Sequence, residues 1–209
     1  MKVITMSQKV SQGLGGPLKG KMHRVFLTTL ISLALAGCTK KKTVMSEPTT
    51  PLTSFYDLTA QTIDGQEQSM SAYKGKYILV VNVASHCGFT PQYEQLEELY
   101  KTYQDRLVVL GFPANNFLWQ ESGSNQEIKS FCSLKYHVTF PMFEKISVKG
   151  KNMSPVYQWL TDPQQNGWNS AKPSWNFNKY LIGPEGKLIA HFGSRVLPTA
   201  PEITKHLQK

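Results

Sequence analysis

The stretch YILVVNVASHCGFTPQY, residues 77–93, joins a strand to a helix through a turn that carries a cysteine. Its first half, from Tyr77 to Ser85, is rich in β-branched residues, which is typical of a strand buried on both faces. After Cys87 come Gly88, which lets the backbone approach closely, and Pro91, which a helix tolerates in its first turn. The stretch therefore predicts a buried strand, a cysteine-bearing turn and a helix in direct succession.

A second buried strand follows at the spacing of a βαβ unit. The helix is predicted over residues 90–103, because Tyr93, Leu96, Leu99, Tyr100 and Tyr103 recur at helical spacing. The run LVVLGF, residues 107–112, has the composition of another buried strand. Two strands joined by one helix at this length run parallel. The central sheet is therefore predicted to be at least partly parallel.

Further patterns add hairpins and helices on both sides of this unit. Asp64-Gly65 predicts an N-terminal hairpin, and Ser124 with Glu127 forms a capping-box pattern that opens a helix ending near residue 136. Later patterns predict a strand approach over residues 138–148, a short helix near 155–160, a hairpin turning at 183–186 and a last helix from about 200. This order predicts an α/β protein with a thioredoxin-like fold, in which helices flank a central mixed sheet.

The N-terminal region has the composition of an export signal. From Lys21 the sequence reads KMHRVFLTTLISLALAGC, in which basic residues precede an apolar run and small residues precede Cys38. The apolar run is short for a membrane span. The tetrapeptide LAGC resembles the lipobox of bacterial lipoproteins, in which the cysteine thiol receives a diacylglyceryl group. The alternative is an apolar helix of the fold with an incidental cysteine.

These features divide the chain into three predicted parts. Residues 1–37 are an export signal of the lipoprotein type, with Met22 as an alternative start. Residues 38–54 are polar and contain proline, which predicts a flexible tether with a lipid on Cys38. Residues 55–209 are the folded domain. The predicted location is the bacterial cell envelope, where a lipid anchors the exported domain to a membrane, on the periplasmic side in a Gram-negative cell.

The charge distribution gives no support for a nucleic-acid partner. The formal net charge is +9, but residues 1–37 hold five of the 23 basic residues and none of the 14 acidic ones. The rest of the chain holds 18 basic and 14 acidic residues, a balance of only +4. The basic residues Lys135, Lys172 and Lys179 are predicted to be solvated, and the scattered histidines indicate no metal site.

Cysteine usage leaves one pair for the folded domain. If Cys38 carries a lipid, Cys87 and Cys132 remain, and an exported domain can keep them as a static disulfide. Cys87 lies between a strand end and a helix start, where a thiolate is favoured, although it could also be a small apolar residue. Cys132 shares a helical face with Ile128 and Phe131, which favours a buried core residue.

Three ordered blocks resemble the glutathione peroxidase family. The segment NVASHCGFT, residues 82–90, is very similar to the family's active-site signature. Residues 111–132, GFPANNFLWQESGSNQEIKSFC, resemble its second block, and residues 175–186, WNFNKYLIGPEG, resemble its third. The similarity covers essentially residues 55–207. Thr90 occupies the position of the second cysteine of thioredoxins, so a dithiol exchanger is disfavoured.

The resemblance implies a thiol-dependent peroxidase with a catalytic tetrad and a resolving cysteine. The tetrad falls on Cys87, Gln120, Trp175 and Asn176. The resolving position of thioredoxin-dependent members falls on Cys132, which implies a Cys87–Cys132 disulfide intermediate and local unwinding of the Cys132 helix. A thioredoxin-like protein would then reduce the disulfide, with glutathione as the alternative reductant. The resemblance also implies a monomer, and apart from the predicted lipid on Cys38 no metal or cofactor.

Some residues depart from the family pattern, and other functions stay open. Ala114, Asn116, Trp119 and Ser122 replace residues that are common in the family, which puts the shape of the substrate in doubt more than the chemistry. The implied substrates are hydrogen peroxide and organic or lipid hydroperoxides. The alternatives are a peroxide sensor that passes its disulfide to a partner, and a thiol- or metal-binding lipoprotein without enzymatic activity.

Overall fold

The computed structural model describes residues 53–208. The export signal over residues 1–37, the lipidated Cys38 and most of the tether lie outside the described residues and stay predictions. Thr53 and Ser54, at the end of the tether, already contact the domain: the Trp159 indole N–H donates to the Thr53 carbonyl at 3.0 Å, and the Ser54 side chain caps a short 3-10 helix. Within residues 53–208, no helix has both the length and the apolar character of a membrane span.

Six strands and five α-helices make up the described domain. The strands are β1 (Thr59–Gln61), β2 (Glu67–Ser69), β3 (Tyr77–Val83), β4 (Leu107–Pro113), β5 (Lys179–Ile182) and β6 (Leu188–Phe192). The helices are α1 (Gln92–Thr102), α2 (Asn125–Tyr136), α3 (Pro155–Thr161), α4 (Pro163–Asn166) and α5 (Pro201–Thr204). Two 3-10 helices span Phe55–Asp57 and Met70–Tyr73.

A four-stranded mixed sheet in the order β4-β3-β5-β6 forms the centre of the domain. Strands β3 and β4 are parallel, β5 is antiparallel to β3, and β6 is antiparallel to β5. Strands β1 and β2 form a separate antiparallel hairpin. The predicted α/β thioredoxin-like fold, with a central mixed sheet, flanking helices and an N-terminal hairpin, is confirmed.

Strand β3 is continuously apolar because both faces of the sheet are covered. Alternate residues point to opposite faces, so Ile78 and Val80 enter one apolar cluster and Leu79 and Val81 enter the other. The first cluster includes residues of α3, and the second includes Cys87 and residues of α1, α2 and α5. The cysteine-bearing turn therefore lies on the side of the sheet that α1 and α2 cover.

Helix α2 begins with the predicted capping box. The Ser124 side chain accepts from the Glu127 backbone N–H, and the Glu127 carboxylate accepts from the Ser124 backbone N–H at 2.7 Å. The strand approach predicted over residues 138–148 is reduced to isolated bridges, two of which join Met142 and Ile146 to the β4 edge. Pro113 and Pro141 lack the backbone N–H that a continuous ladder needs.

Candidate active site

The Thr90 hydroxyl stabilises the turn that carries Cys87 through two hydrogen bonds. This hydroxyl accepts from the Cys87 backbone N–H at 2.9 Å and donates to the Ala84 carbonyl at 2.9 Å. The Phe89 backbone N–H donates to Cys87 Sγ at 3.4 Å, which stabilises negative charge on the sulfur. Cys87 is 8% exposed. The turn therefore holds a shielded sulfur in a fixed position with a backbone donor directed at it.

Thr90→Val is expected to lower the free energy of unfolding by about 1–3 kcal/mol. Valine has a similar shape but no hydroxyl, so the Cys87 N–H and the Ala84 carbonyl would lose their partner inside a buried turn. Urea titration of wild type, Thr90→Val and the control Thr90→Ser measures the effect. Serine keeps the hydroxyl, and equal losses in the two variants would show that the hydrogen bonds contribute nothing.

Gln120 and Asn176, which are far apart in sequence, meet in the structure. The Asn176 Nδ2 group donates to Gln120 Oε1 at 2.9 Å, and the Gln120 carbonyl accepts from the His86 backbone N–H at 3.0 Å. Gln120 is thus tied to the Cys87 turn through its backbone and to Asn176 through its side chain. Because Asn176 occupies the Gln120 oxygen, the Nε2 group of Gln120 stays available, and it has no acceptor within residues 53–208.

Trp175 carries a second neutral donor, its indole N–H. Its ring packs against both apolar clusters, one of which contains Cys87, and lies 5.6 Å from the Phe117 ring. It lines a groove of about 510 Å³ together with Phe89, Ser194 and Arg195. In the described part of the chain its indole N–H has no acceptor. The groove therefore borders Phe89, the residue whose backbone N–H donates to Cys87 Sγ.

Cys132 lies inside α2, in the same apolar cluster as Cys87. It is 2% exposed, and both cysteines of the domain are free thiols. Burial raises the pKa of the Cys132 thiol to about 11, the Tyr93 hydroxyl opposes the rise and the Glu121 carboxyl adds to it. In this conformation Cys132 is therefore a protonated and poorly nucleophilic thiol. Its buried position on the face of Ile128 is the one that the helical pattern favoured.

A buried polar network holds the Trp175–Asn176 segment. This network was not predicted from the sequence. The Asn82 side chain, at the end of β3, donates to the Trp175 carbonyl at 3.0 Å and accepts from the Asn178 backbone N–H at 3.1 Å. The Ser194 hydroxyl donates to the Asn176 carbonyl at 2.6 Å. An asparagine within the apolar run YILVVNV was the available signal, because a buried strand position needs partners for a polar side chain.

Phe177 follows Asn176 in a strained backbone conformation. Its φ of 61° lies in the left-handed region, although the side chain is bulky and fully buried. Such a conformation costs about 1–3 kcal/mol and persists only where the surroundings enforce it. Here the Phe177 N–H donates to the Asn82 carbonyl, and the Phe177 ring packs edge-on against Tyr93 at 5.5 Å. The strain lies directly beside a predicted tetrad residue.

The prediction that Lys179 is solvated is wrong. Its side chain is fully buried on β5, and its Nζ donates to the Phe177 carbonyl at 2.8 Å. Burial lowers the pKa of the Lys179 ammonium to about 7. Strand β5 lies inside the sheet between β3 and β6, so its side chains are covered. The lysine therefore supports the Phe177 turn from inside the core.

Glu121 is a buried carboxyl that no sequence pattern indicated. It is 1% exposed, its Oε2 accepts from the Ser85 hydroxyl at 3.2 Å, and its Oε1 has no partner in the described residues. Burial raises the pKa of Glu121 to about 7, against the opposing effects of Ser85 and Lys145. Ser85 precedes the Cys87 turn and Glu121 follows Gln120. This buried carboxyl therefore joins the two segments that carry Cys87 and Gln120.

Glu121→Gln is expected to flatten the dependence of stability on pH. Because the pKa of Glu121 is raised from 4.5 to about 7 on folding, the folded chain holds more protons than the unfolded chain in that window. Stability therefore falls as pH rises through it. Urea titration at pH 5 and pH 8 should show a gain of about 1–3 kcal/mol for the variant at pH 8 and little at pH 5.

The exposed Glu98→Gln on α1 is the matched control for this measurement and should keep the wild-type fall of stability with pH. A Glu121→Gln variant that loses as much stability as wild type between the two pH values would contradict the burial argument.

Known proteins match most of the described domain. The sequence profile described as "Glutathione peroxidase" matches residues 55–161. A Lactococcus lactis protein named "Glutathione peroxidase" is 49% identical over 150 residues, which are 71% of this chain and 95% of that protein. "Glutathione peroxidase-like peroxiredoxin 2" of Saccharomyces cerevisiae is 47% identical over 160 residues, 75% of this chain and 99% of the yeast protein. The crystal structure of T. cruzi GPX1 is similar at 31% identity and a TM-score of 0.56, covering 74% of this chain and 94% of that one.

Proposed function

The chain belongs to the glutathione peroxidase family, and we propose that it is a thiol-dependent peroxidase that reduces hydrogen peroxide and organic or lipid hydroperoxides. The observation that carries the proposal is the meeting of Gln120 with Asn176 beside the Cys87 turn. This contact leaves neutral N–H donors available near a shielded sulfur. Neutral donors stabilise developing negative charge without adding a charge of their own.

In the first step, the Cys87 thiolate attacks the terminal oxygen of the hydroperoxide. The O–O bond breaks, a sulfenic acid forms on Cys87, and the leaving oxygen takes a proton and departs as water or an alcohol. The Phe89 N–H, which already donates to the sulfur, stabilises the thiolate. Gln120 and Trp175 donate to the charge that develops in the transition state, and Asn176 orients Gln120.

In the second step, Cys132 attacks the Cys87 sulfenic acid, so that a disulfide forms and water leaves. The buried thiol of Cys132 can act only after α2 opens, because in the helix it is protonated and shielded. Helix α2 suits this role, since it buries only three of its twelve residues. Its ion pair between Lys129 and Asp64 is half-exposed on both sides and contributes little. Local unfolding of such an element requires less free energy than global unfolding.

In the third step, a dithiol protein of the thioredoxin type reduces the disulfide by thiol–disulfide exchange. The relative named a peroxiredoxin supports this reductant, and glutathione is the alternative.

We propose that the enzyme lies in the cell envelope as a monomer, exported by residues 1–37 and anchored to a membrane by a lipid on Cys38. The LAGC tetrapeptide and the polar tether support this placement.

A coupled assay tests the function and the reductant together. Peroxide-dependent NADPH oxidation is measured with thioredoxin and its reductase, and separately with glutathione and its reductase. The proposal expects the faster turnover with thioredoxin. Faster turnover with glutathione would overturn the choice of reductant, and no peroxide consumption with either system would overturn the peroxidase function. Tight copper binding in that case would favour a metal-binding lipoprotein.

A further inference from the structure

Two large apolar side chains project into solvent directly before Gln120. Leu118 is 68% exposed and Trp119 is 77% exposed. Both residues adopt left-handed backbone conformations, with φ of 50° and 53°. Side chains other than glycine rarely adopt this conformation, because the β-carbon approaches the backbone too closely. The chain thus combines two unfavourable features, backbone strain and apolar exposure, at one place beside the candidate active site.

The segment that carries these residues is firmly held on both sides. Before Leu118, the Asn116 side chain donates to the Ser147 hydroxyl at 3.0 Å and accepts from the Val148 N–H at 2.8 Å. Phe117 is buried and packs on Trp175. After Trp119, Gln120 is held by Asn176. Leu118 and Trp119, which we call the tip, therefore protrude from a segment whose two ends are held by hydrogen bonds and packing. Their exposure does not result from a long unanchored loop.

Positive charge flanks the tip. The Lys149 ammonium lies 4.4 Å from the centre of the Phe117 ring. The Lys145 ammonium donates to the carbonyls of Ser122 and Gly123, at the other end of the same segment. Glu121, the one acidic residue in residues 117–123, is buried behind the tip. The exposed Glu127 carboxylate interacts with Lys145 and partly offsets its charge, so the surface around the tip is apolar at its end and cationic on the side of Lys149.

Exposed apolar side chains beside a lysine ammonium fit a membrane surface with anionic headgroups. Tryptophan prefers the boundary between hydrocarbon and headgroups, and lysines beside it can pair with lipid phosphates. A protein partner fits less well, because two projecting side chains are far smaller than a stable protein interface. The predicted tether, residues 38–54, spans at most about 60 Å when extended. It would hold the domain near a bilayer without fixing which face touches the lipid.

We propose that the Leu118–Trp119 tip is a membrane-docking element, which inserts both side chains into the interface of a bilayer with anionic headgroups. Docking there turns the end of the domain that carries Cys87 and Gln120 toward the lipid. Hydroperoxides on lipid chains then reach the sulfur without leaving the membrane surface. This consequence for the substrate rests on the proposed peroxidase function, whereas the docking itself does not.

Quenching by brominated lipid tests the docking directly. The full-length chain is bound to vesicles of equal parts phosphatidylglycerol and brominated phosphatidylcholine, and tryptophan fluorescence is compared with vesicles without bromine. Trp119→Phe should lose most of the bromine-dependent quenching. Trp168→Phe, which removes another exposed tryptophan, is the matched control and should keep it. Equal quenching in Trp119→Phe and wild type, or no quenching in wild type, would overturn the proposal, however residues 1–54 interact with the vesicles.

A double variant separates docking from catalysis. Leu118→Gly with Trp119→Gly removes both side chains, and glycine accepts the left-handed backbone. Its rate with phospholipid hydroperoxide in the anionic vesicles should fall by about tenfold, as expected when a local concentration advantage is lost. Its rate with hydrogen peroxide should stay near that of wild type. A double variant that reacts with both peroxides at the wild-type rate in a single turnover, but turns over slowly with thioredoxin, would identify the tip as a reductant site and overturn docking. If wild type consumes neither peroxide, the peroxidase function fails, and the quenching result still decides on docking.

Discussion

Cys87→Ser is expected to lower peroxide consumption by about 10⁴-fold or more. Serine would present a neutral hydroxyl at pH 7, and an alcohol is far less nucleophilic toward an O–O bond than a thiolate. The surrounding donors, such as the Phe89 N–H at 3.4 Å, are arranged to stabilise a negatively charged sulfur and have little to act on in the variant. The thioredoxin-coupled assay measures the loss.

The three cysteines of the chain provide a matched set for this experiment. Cys38→Ser changes a cysteine that precedes the described domain and should keep the wild-type rate in detergent solution. A Cys87→Ser variant with the urea midpoint of wild type and the activity of Cys38→Ser would show that another group attacks the peroxide.

Cys132→Ser is expected to separate the first turnover from the later ones. One equivalent of peroxide should still be consumed, because Cys87 and its donors are unchanged. Turnover driven by thioredoxin should fall by on the order of 100-fold, since the intramolecular thiol that resolves the sulfenic acid is lost. Single-turnover and steady-state peroxide consumption measure the two effects.

A substitution elsewhere on α2 controls for disturbance of the helix itself. Leu134 is 79% exposed on the same helix, and Leu134→Ala should retain wild-type turnover. Unchanged turnover in Cys132→Ser would return Cys132 to the role of a core residue, and the external reductant would then attack the Cys87 sulfenic acid directly.

The elements that local patterns specify were predictable from the sequence. The alternation in β3 places Val80 and Val81 in opposite clusters, as a strand covered on both faces requires. The capping box of Ser124 and Glu127 marks the start of α2, because both of its hydrogen bonds join residues three apart. Burial of Lys179 was not predictable in the same way, because it depends on the neighbours that β3 and β6 supply.

The candidate site was identified by resemblance and not by spacing. Gln120 and Asn176 are separated by 56 positions, and nothing in their own neighbourhoods indicates that their side chains meet. The supporting groups were missed for a related reason. Asn82 and Glu121 act through partners on other elements, and the hydrogen bonds of a buried polar side chain become visible only when the fold brings those partners together.

Intact-mass analysis after one equivalent of hydrogen peroxide tests the two-cysteine cycle most directly. The measurement uses the full-length chain with Cys38→Ser, so that Cys87 and Cys132 are the only thiols. The cycle predicts that this protein loses two hydrogens through a Cys87–Cys132 disulfide, located by peptide mapping, and that the additional change Cys132→Ser converts the product to one with a single oxygen on Cys87. Gain of oxygen without a disulfide in the protein that retains Cys132, or no reaction at Cys87, would contradict it.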